Sequence, residues 1–416
     1  MSDANTTSHG SCRFCDAPLL HTFVDLGMSP PCESFLTTEQ AAAGEMFYPL
    51  HAFVCDQCFL VQLVDYIPAG EIFDEYAYFS SFSTSWLKHA SDYCQMVTER
   101  FELVGDDFVV ELASNDGYLL QNFVKAGVPC LGVEPSWNVA EAAKEKGVES
   151  LVAFFGVETA TQVRAERGAA SLILGNNVLA HVPDINDFVG GAKVLLADDG
   201  RITYEFPHLM QLMDQGQYDT IYHEHFSYLS FSFVKRLLEK HGLEPFDVQE
   251  LPSHGGSLRV FAQHAAGPHA IEPAVAELLG REEAAGYGKL ETYTDFTARC
   301  EKSKRDTLAF LVEAREAGKT VVAYGAPGKG NTLLNYCGIR QDFISFAVDR
   351  NPYKHGRFTP GTHIPILPPE ALDEAKPDYI FILPWNLKRE IVDQLAHARA
   401  WGAKFVVPIP SLQVLD

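Results

Sequence analysis

The stretch TIYHEHFSYLS, residues 220–230, puts a phenol, a carboxylate and two imidazoles in a row: Tyr222, His223, Glu224 and His225. It is not a zinc-protease helix, since H-E-x-x-H sets its histidines one helical turn apart and here one residue separates them. An imidazole titrates nearest working pH and a phenol donates to a developing oxyanion, so the set suits acid–base chemistry. The plainer reading is a surface loop with two stray histidines. On a helix, Tyr222 and His225 would share a face; in an extended segment, Tyr222 and Glu224 would.

A second constellation lies near the start. Cys12-x-x-Cys15 and Cys55-x-x-Cys58 offer four thiolates as two knuckles, which suits tetrahedral Zn2+. The 39 residues between the knuckles exceed the roughly 15 to 20 of compact zinc ribbons, so a lobe must fit between them. A closed four-cysteine site has no open coordination position, and its expected role is structural. Cys32, Cys94, Cys130, Cys300 and Cys337 are scattered and read as core or inert thiols.

The elements that must position these groups follow from composition and pattern. A chain of 416 residues, 47% hydrophobic and 21% charged, fits a globular protein of two or three domains. A net charge of −23 argues against nucleic-acid partners, which need clustered Lys and Arg. The polar start MSDANTTSHGSC lacks the pattern of a signal peptide, and no apolar run reaches the roughly 18 residues of a membrane span. A cytoplasmic protein with no membrane partner is expected.

Residues 1–85 read as a loop-rich, zinc-stapled lobe; its aromatic stretch 71–86 is either a core edge or a wall against substrate. From about 107, strands alternate with helices: DFVVELAS, CLGVEPS, LVAFF, ASLILGNNV and RITYEFP. LEPFDVQEL and SLRVFAQH follow, joined by PSHGG, a link too short for a crossover helix. A parallel sheet closed by an antiparallel seventh strand is the layout of class I methyltransferases, and it is assigned to residues 86–265. Residues 266–416 open helical and become a second α/β unit, Rossmann-like, from KTVVAYGAPGKGN onward.

Ligands of open α/β sheets bind at the carboxyl ends of the strands. Here the first strand ends in Glu111, Ser114, Asn115, Asp116 and Gly117, without G-x-G-x-x-G. An acidic loop would repel a dinucleotide pyrophosphate, whereas a sulfonium amino acid tolerates it. Glu134, 23 residues after Glu111 and followed by Pro135, ends the next strand, where an acid accepts ribose hydroxyls. The expected cofactor is S-adenosylmethionine, held also by Asn176 and Asn177, with His181 beside them. The AFFG segment after the third strand has no acid, which leaves the adenine contacts open. In the last unit, Gly328, Lys329 and Asn331 of YGAPGKGNT suit a phosphate cradle, with Asp349 and Arg357 as further candidates. A tight strand–helix turn is the alternative.

The ordered set VVELASNDGYLL, GVEPSWNVA, NNVLAHVPD, EFPHL, YHEHFSYLS and GGSLRVF, with the cysteine knuckles, resembles the sugar C-methyltransferases that act on nucleotide-linked keto-deoxysugars in antibiotic pathways. The resemblance covers nearly the whole chain. It is strongest to the branch that methylates C-3' of a dTDP-3-amino-2,3,6-trideoxy-4-keto sugar in tetronitrose biosynthesis. It implies zinc-binding, S-adenosylmethionine-binding and C-terminal Rossmann-like domains. It also implies an active-site set of Tyr76, His181, Tyr222, Glu224 and His225, with His225 as the base. Methylation at carbon needs a carbanion, so a base must take the proton beside the ketone while a donor steadies the enolate. His223 and His208 are rival bases. The C-terminal loop would then grip the dTDP diphosphate. O- or N-methylation of a related sugar, or an NAD-dependent sugar oxidoreductase, are the alternatives. A monomer is expected, with oligomerisation open.

Overall fold

The computed structural model describes residues 8–67, 79–82 and 84–415; Tyr76 lies outside them. Strands β1 (His21–Ser29), β2 (Tyr48–Val54) and β3 (Val61–Leu63) form an antiparallel meander beside the cysteine knuckles. A two-residue strand from far along the chain, β9 (Ser227–Tyr228), completes this sheet against β3. The segment just after His225 is therefore pinned to the N-terminal lobe.

The central sheet contains β4 (Val109–Leu112), β5 (Cys130–Glu134), β6 (Ser150–Val152), β7 (Ala170–Asn176), β8 (Leu196–Pro207), β10 (Leu243–Leu251) and β11 (Ser257–His264). Its order is β10-β11-β8-β7-β4-β5-β6, with β11 antiparallel to both neighbours and the remaining pairs parallel. This is the expected seven-stranded class I methyltransferase layout. β4 reads VVEL and is buried throughout, as a parallel strand covered on both faces must be. The helix Thr84–Phe101 covers one face with Ala90, Tyr93, Cys94, Val97 and Phe101, a stripe at helical spacing. The helix Phe231–Lys240, capped by Ser230, covers the other with Val234, Leu237 and Leu238.

The C-terminal sheet contains β12 (Val321–Tyr324), β13 (Ala347–Val348), β14 (Ile366–Leu367), β15 (Tyr379–Ile382), β16 (Lys404–Val407) and β17 (Gln413–Leu415). Its order is β14-β13-β12-β15-β16-β17, parallel except for β17. Counted from β12 that is 3-2-1-4-5, the Rossmann order. The central sheet repeats it from β4 through β8. Each sheet thus has a topological switch point, β4/β7 in one and β12/β15 in the other, where the strand order reverses and ligands bind.

One core cluster joins the N-terminal sheet to the C-terminal unit, and Phe23 stacks on Phe296 at 4.6 Å. Polar ties reinforce it: Asn331 Nδ2 donates to Cys32 O at 2.7 Å, and Trp385 Nε1 donates to Asp219 Oδ2 at 2.7 Å. Among the described residues no helix is long and apolar enough to cross a membrane.

Candidate active site and zinc centre

The two knuckles are built alike. Cys12 and Cys55 each accept a backbone bond from the residue four further on, Asp16 and Phe59, at 2.9 Å. Those two residues take the left-handed conformation, φ 62° and 61°, which turns the chain back sharply. Four sulfurs result, all within 4.8 Å of one another, with Cys12–Cys58 and Cys15–Cys55 at 3.5 Å. A metal about 2.3 Å from each sulfur fits such a tetrahedron. Hydrogen bonds from Cys55 and Cys58 hold the Cys12 thiol far below its ordinary pKa, and Gln62 Nε2 donates to the same sulfur. The residues fit Zn2+, which supplies cross-linking rather than chemistry.

A cavity of about 590 Å³ lies where the three units meet. The carboxyl ends of β4, β5, β7 and β8 supply one side through Asn115, Glu134, Asn176, Asn177 and Pro207. Tyr222, Glu224 and His225 supply another, and Pro327, Gly328 and Lys329 come from the switch point of the C-terminal sheet. The ligand crevices of both α/β units open into one chamber. Among the described residues ten non-glycines have positive φ, and four of them, Ala113 (55°), Asn115 (49°), Asn177 (55°) and His254 (53°), line it. Strain of roughly 1 to 3 kcal/mol each is held where function needs fixed geometry.

The 222–225 turn answers the question left by its spacing. It is neither helix nor strand. His225 N donates to Tyr222 O at 2.8 Å, closing a β-turn that brings the two rings to 3.9 Å. Glu224 also lines the cavity. His223 points away, packed on Tyr48 with Nε2 3.3 Å from Pro49 O. His208 is buried on Glu282 at 2.7 Å. Neither rival base lines the cavity.

His225 Nδ1 lies 2.8 Å from the Thr220 carbonyl. A carbonyl only accepts, so Nδ1 carries the proton. Burial, then the neighbouring His181, push the ring's pKa well below the ordinary imidazole value. The ring is neutral, and Nε2 keeps its lone pair. His181 meets it edge-on at 4.6 Å, its own pKa pulled to about 4 by burial.

On the cofactor side, Glu134 accepts from Asn115 N (2.8 Å) and Ser136 N (2.9 Å). The Ser136 side chain bonds the same carboxylate, and Glu134 lines the cavity. Burial raises its pKa. Asn176, only 9% exposed, leaves both amide atoms without a partner among the described residues. Such an orphaned pair beside an acid fits the hydroxyls and amino-acid end of S-adenosylmethionine. Pro135 also lines the cavity; Glu111, Ser114, Asp116 and Gly117 do not. Glu111 is buried with its pKa raised well up by burial, then by Glu134 and Asp116. Ser114 is fully buried under Gly132. Asp116 is taken by Lys146 at 3.3 Å. Gly117, at φ +72°, leaves no room for a Cβ against Val148 and Ala143. These four shape the loop from behind.

The C-terminal candidates separate too. Lys329 faces the chamber, donating to Asn386 Oδ1 at 2.9 Å over the Trp385 ring, and burial lowers its pKa. A Cβ at Gly328 would meet Glu33 Oε1 at 2.7 Å, and the Gly328 amide hydrogen-bonds the Glu33 carboxylate. An acid thus already sits at this helix N-terminus. Asn331 is buried on Cys32, Arg357 is exposed beside Phe35 O, and Asp349 accepts from Ala326 N and Asn351 N; none of the three lines the chamber.

Sequence reasoning missed Glu33, Asp187 and His254, all of which line the cavity; Trp86 and Phe154, which also line it, come from the 71–86 and AFFG stretches noted above. The acid absent from AFFG arrives from the helix Ile185–Leu195, beyond β7: Asp187 accepts from Val157 N at 3.2 Å. His254 had a signal. The β10–β11 turn must lie at the carboxyl edge of the parallel strands.

Family models match in series: a zinc binding domain over residues 12–73, a methyltransferase domain over 86–248, and a C-methyltransferase C-terminal domain over 252–410. The chain is 38% identical over 405 residues to the C-methyltransferase NovU of Streptomyces niveus, spanning 97% of this chain and 96% of that one. Among solved structures, magnesium protoporphyrin IX methyltransferase from Synechocystis, with bound S-adenosylmethionine, is 14% identical. It covers 43% of this chain and 79% of its own at a TM-score of 0.34. The CcbJ methyltransferase of Streptomyces caelestis is 12% identical, covering 42% and 89% at 0.34.

Proposed function

The chain belongs to the sugar C-methyltransferase family, and from that premise we propose that this S-adenosylmethionine-dependent C-methyltransferase acts at C-3' of a dTDP-linked 3-amino-2,3,6-trideoxy-4-keto sugar. The observation that carries the reading is the state of His225. It is a neutral imidazole with Nδ1 tied to Thr220 O, so Nε2 is a free base on the cavity wall.

Proton removal at C-3' sends the C–H electron pair into a C-3'–C-4' double bond, and the ketone oxygen becomes an enolate. His225 Nε2 takes the proton and Tyr222, stacked on it, donates to the oxygen. Tyr76 and His181 join that set, and Glu224 holds the sugar's amine. Bound beside it, S-adenosylmethionine supplies an electrophilic methyl group. Glu134 and Asn176 hold the cofactor, with Pro135, Asn115 and Asn177 around it; Glu111, Ser114, Asp116 and Gly117 set the loop's shape. Lys329 and Gly328 contact the nucleotide-sugar, Asn331 fixes their helix, and Arg357 is the outermost candidate. Units of 1–85, 86–265 and 266–416 in a cytoplasmic monomer complete the proposal.

The test is product structure. Incubation with the keto sugar and methyl-13C S-adenosylmethionine should give a labelled methyl coupled to C-3'. A label on oxygen or nitrogen, or turnover that needs NAD, would overturn the reading.

A further inference from the structure

The β10–β11 turn puts a third imidazole into the reaction chamber. His254 lies there with Asn177, Lys329, His181 and His225 among the other lining residues. Asn177 Nδ2 is 3.3 Å from His254 Nε2. An amide nitrogen donates, so Nε2 accepts and the ring proton sits on Nδ1. Nδ1 makes no hydrogen bond to any described residue. Both rings are therefore the Nδ1–H tautomer, but they are tied through different nitrogens, His225 by Nδ1 and His254 by Nε2. His225 offers a lone pair, and His254 offers an N–H.

The turn is held as a donor site would need to be. Glu205, at the end of β8, accepts from Ser253 Oγ at 2.9 Å and from Arg259 Nη2 at 2.6 Å, and pairs with His89 Nε2 at 2.9 Å. His89 stacks on Trp86 at 4.8 Å, and Trp86 meets the His254 ring edge-on at 5.2 Å. His254 itself sits at φ 53°, a conformation that His and Asn tolerate better than most residues. A carboxylate, an indole and a strained backbone fix one otherwise unremarked ring. Burial, then Lys329, bring its pKa down to about 4, so it stays neutral at working pH. A neutral imidazole N–H can polarise a carbonyl without giving up its proton.

We infer that His254 Nδ1–H is a further hydrogen-bond donor to the sugar's C-4' oxygen, sharing with Tyr222 the charge that forms when His225 takes the proton. This rests on the C-methylation reading above. It assigns the oxyanion side of the chamber partly to the methyltransferase unit's own hairpin.

The amide nitrogen of Asn overlays imidazole Nδ1, and that of Gln overlays Nε2. His254→Asn therefore keeps a donor at the proposed place and suits the left-handed backbone; His254→Gln moves it away. Steady-state kinetics with the keto sugar should show kcat lowered roughly 10²- to 10³-fold in His254→Gln, the range for loss of one oxyanion donor. His254→Asn should recover at least about tenfold of that loss. KM for both substrates and affinity for S-adenosylhomocysteine should stay within about threefold. A His254→Gln enzyme with wild-type kcat, or equal losses in both variants, would overturn the assignment. So would a loss confined to KM. Wild-type enzyme that makes no C-3'-methyl product would instead sink the C-methylation reading.

Discussion

Replacing Glu134 by Ala separates two jobs that one carboxylate performs. Inside the protein it accepts from Asn115 N and Ser136 N at 2.8 and 2.9 Å. Both residues are buried, and so is Glu134, at 4% exposure. Removing the carboxylate leaves two buried amides without an acceptor, about 1 to 3 kcal/mol each. The methyltransferase unit should therefore unfold several degrees lower, because about 1 kcal/mol shifts Tm by roughly 2–4 °C in a unit of this size. Toward the cavity it loses a charged acceptor for the cofactor, about 1.5 to 3 kcal/mol, or roughly tenfold to a hundredfold in Kd. Glu134→Gln retains one carbonyl but turns an amide donor against a backbone N–H, so it should fall between wild type and Ala in both readouts. Calorimetric titration with S-adenosylhomocysteine, beside thermal unfolding, measures both. An Ala variant with Kd within twofold of wild type would refute the placement of the cofactor at β5, whatever its Tm.

Two further outcomes are expected. Elemental analysis should find about one zinc per chain, and Cys58→Ser should lose it and destabilise the N-terminal lobe, since structural zinc contributes folding free energy directly. A metal-free active protein would contradict this. The second concerns pH. His181, His225 and His254 are all held below the ordinary imidazole value, His181 and His254 at about 4. The unfolded chain therefore binds more protons between about 4 and 6.5, so stability falls as pH drops through that window. Turnover itself should stay flat from pH 8 to about 6, where an unperturbed base of pKa about 6.5 would lose most of its activity.

Much of the architecture was legible in the sequence. LEPFDVQEL and SLRVFAQH coincide with β10 and β11, because both strands are long, apolar and separated by a glycine turn. The C-terminal sheet was less legible. FISFAVDRN leaves only Ala347–Val348 as strand, and β14 and β17 are two or three residues long, too short for any period to register. Glu134 and Asn176, which end β5 and β7, and the clustered groups at 222–225 were legible as candidates from residue type. The turn's geometry was not, since a β-turn follows neither period that spacing arguments use. Asn331 shows the other limit. Its donor role lies in a bond to Cys32, 299 residues away, which no local pattern encodes. His254 was passed over because a hairpin loop rich in glycine reads as connection rather than chemistry.

The central claim is that His225 takes the C-3' proton. His225→Asn keeps a polar group of similar size that cannot accept a proton at Nε2. Its rate of C-3'-methyl product formation, followed by NMR at saturating keto sugar and S-adenosylmethionine, is the direct measure. With both ligands still bound, the rate should fall roughly 10²- to 10⁴-fold, as for loss of a general base. A variant that binds both and forms the C-3'-methyl sugar at near wild-type rate would contradict the account and move the base to another group in the chamber.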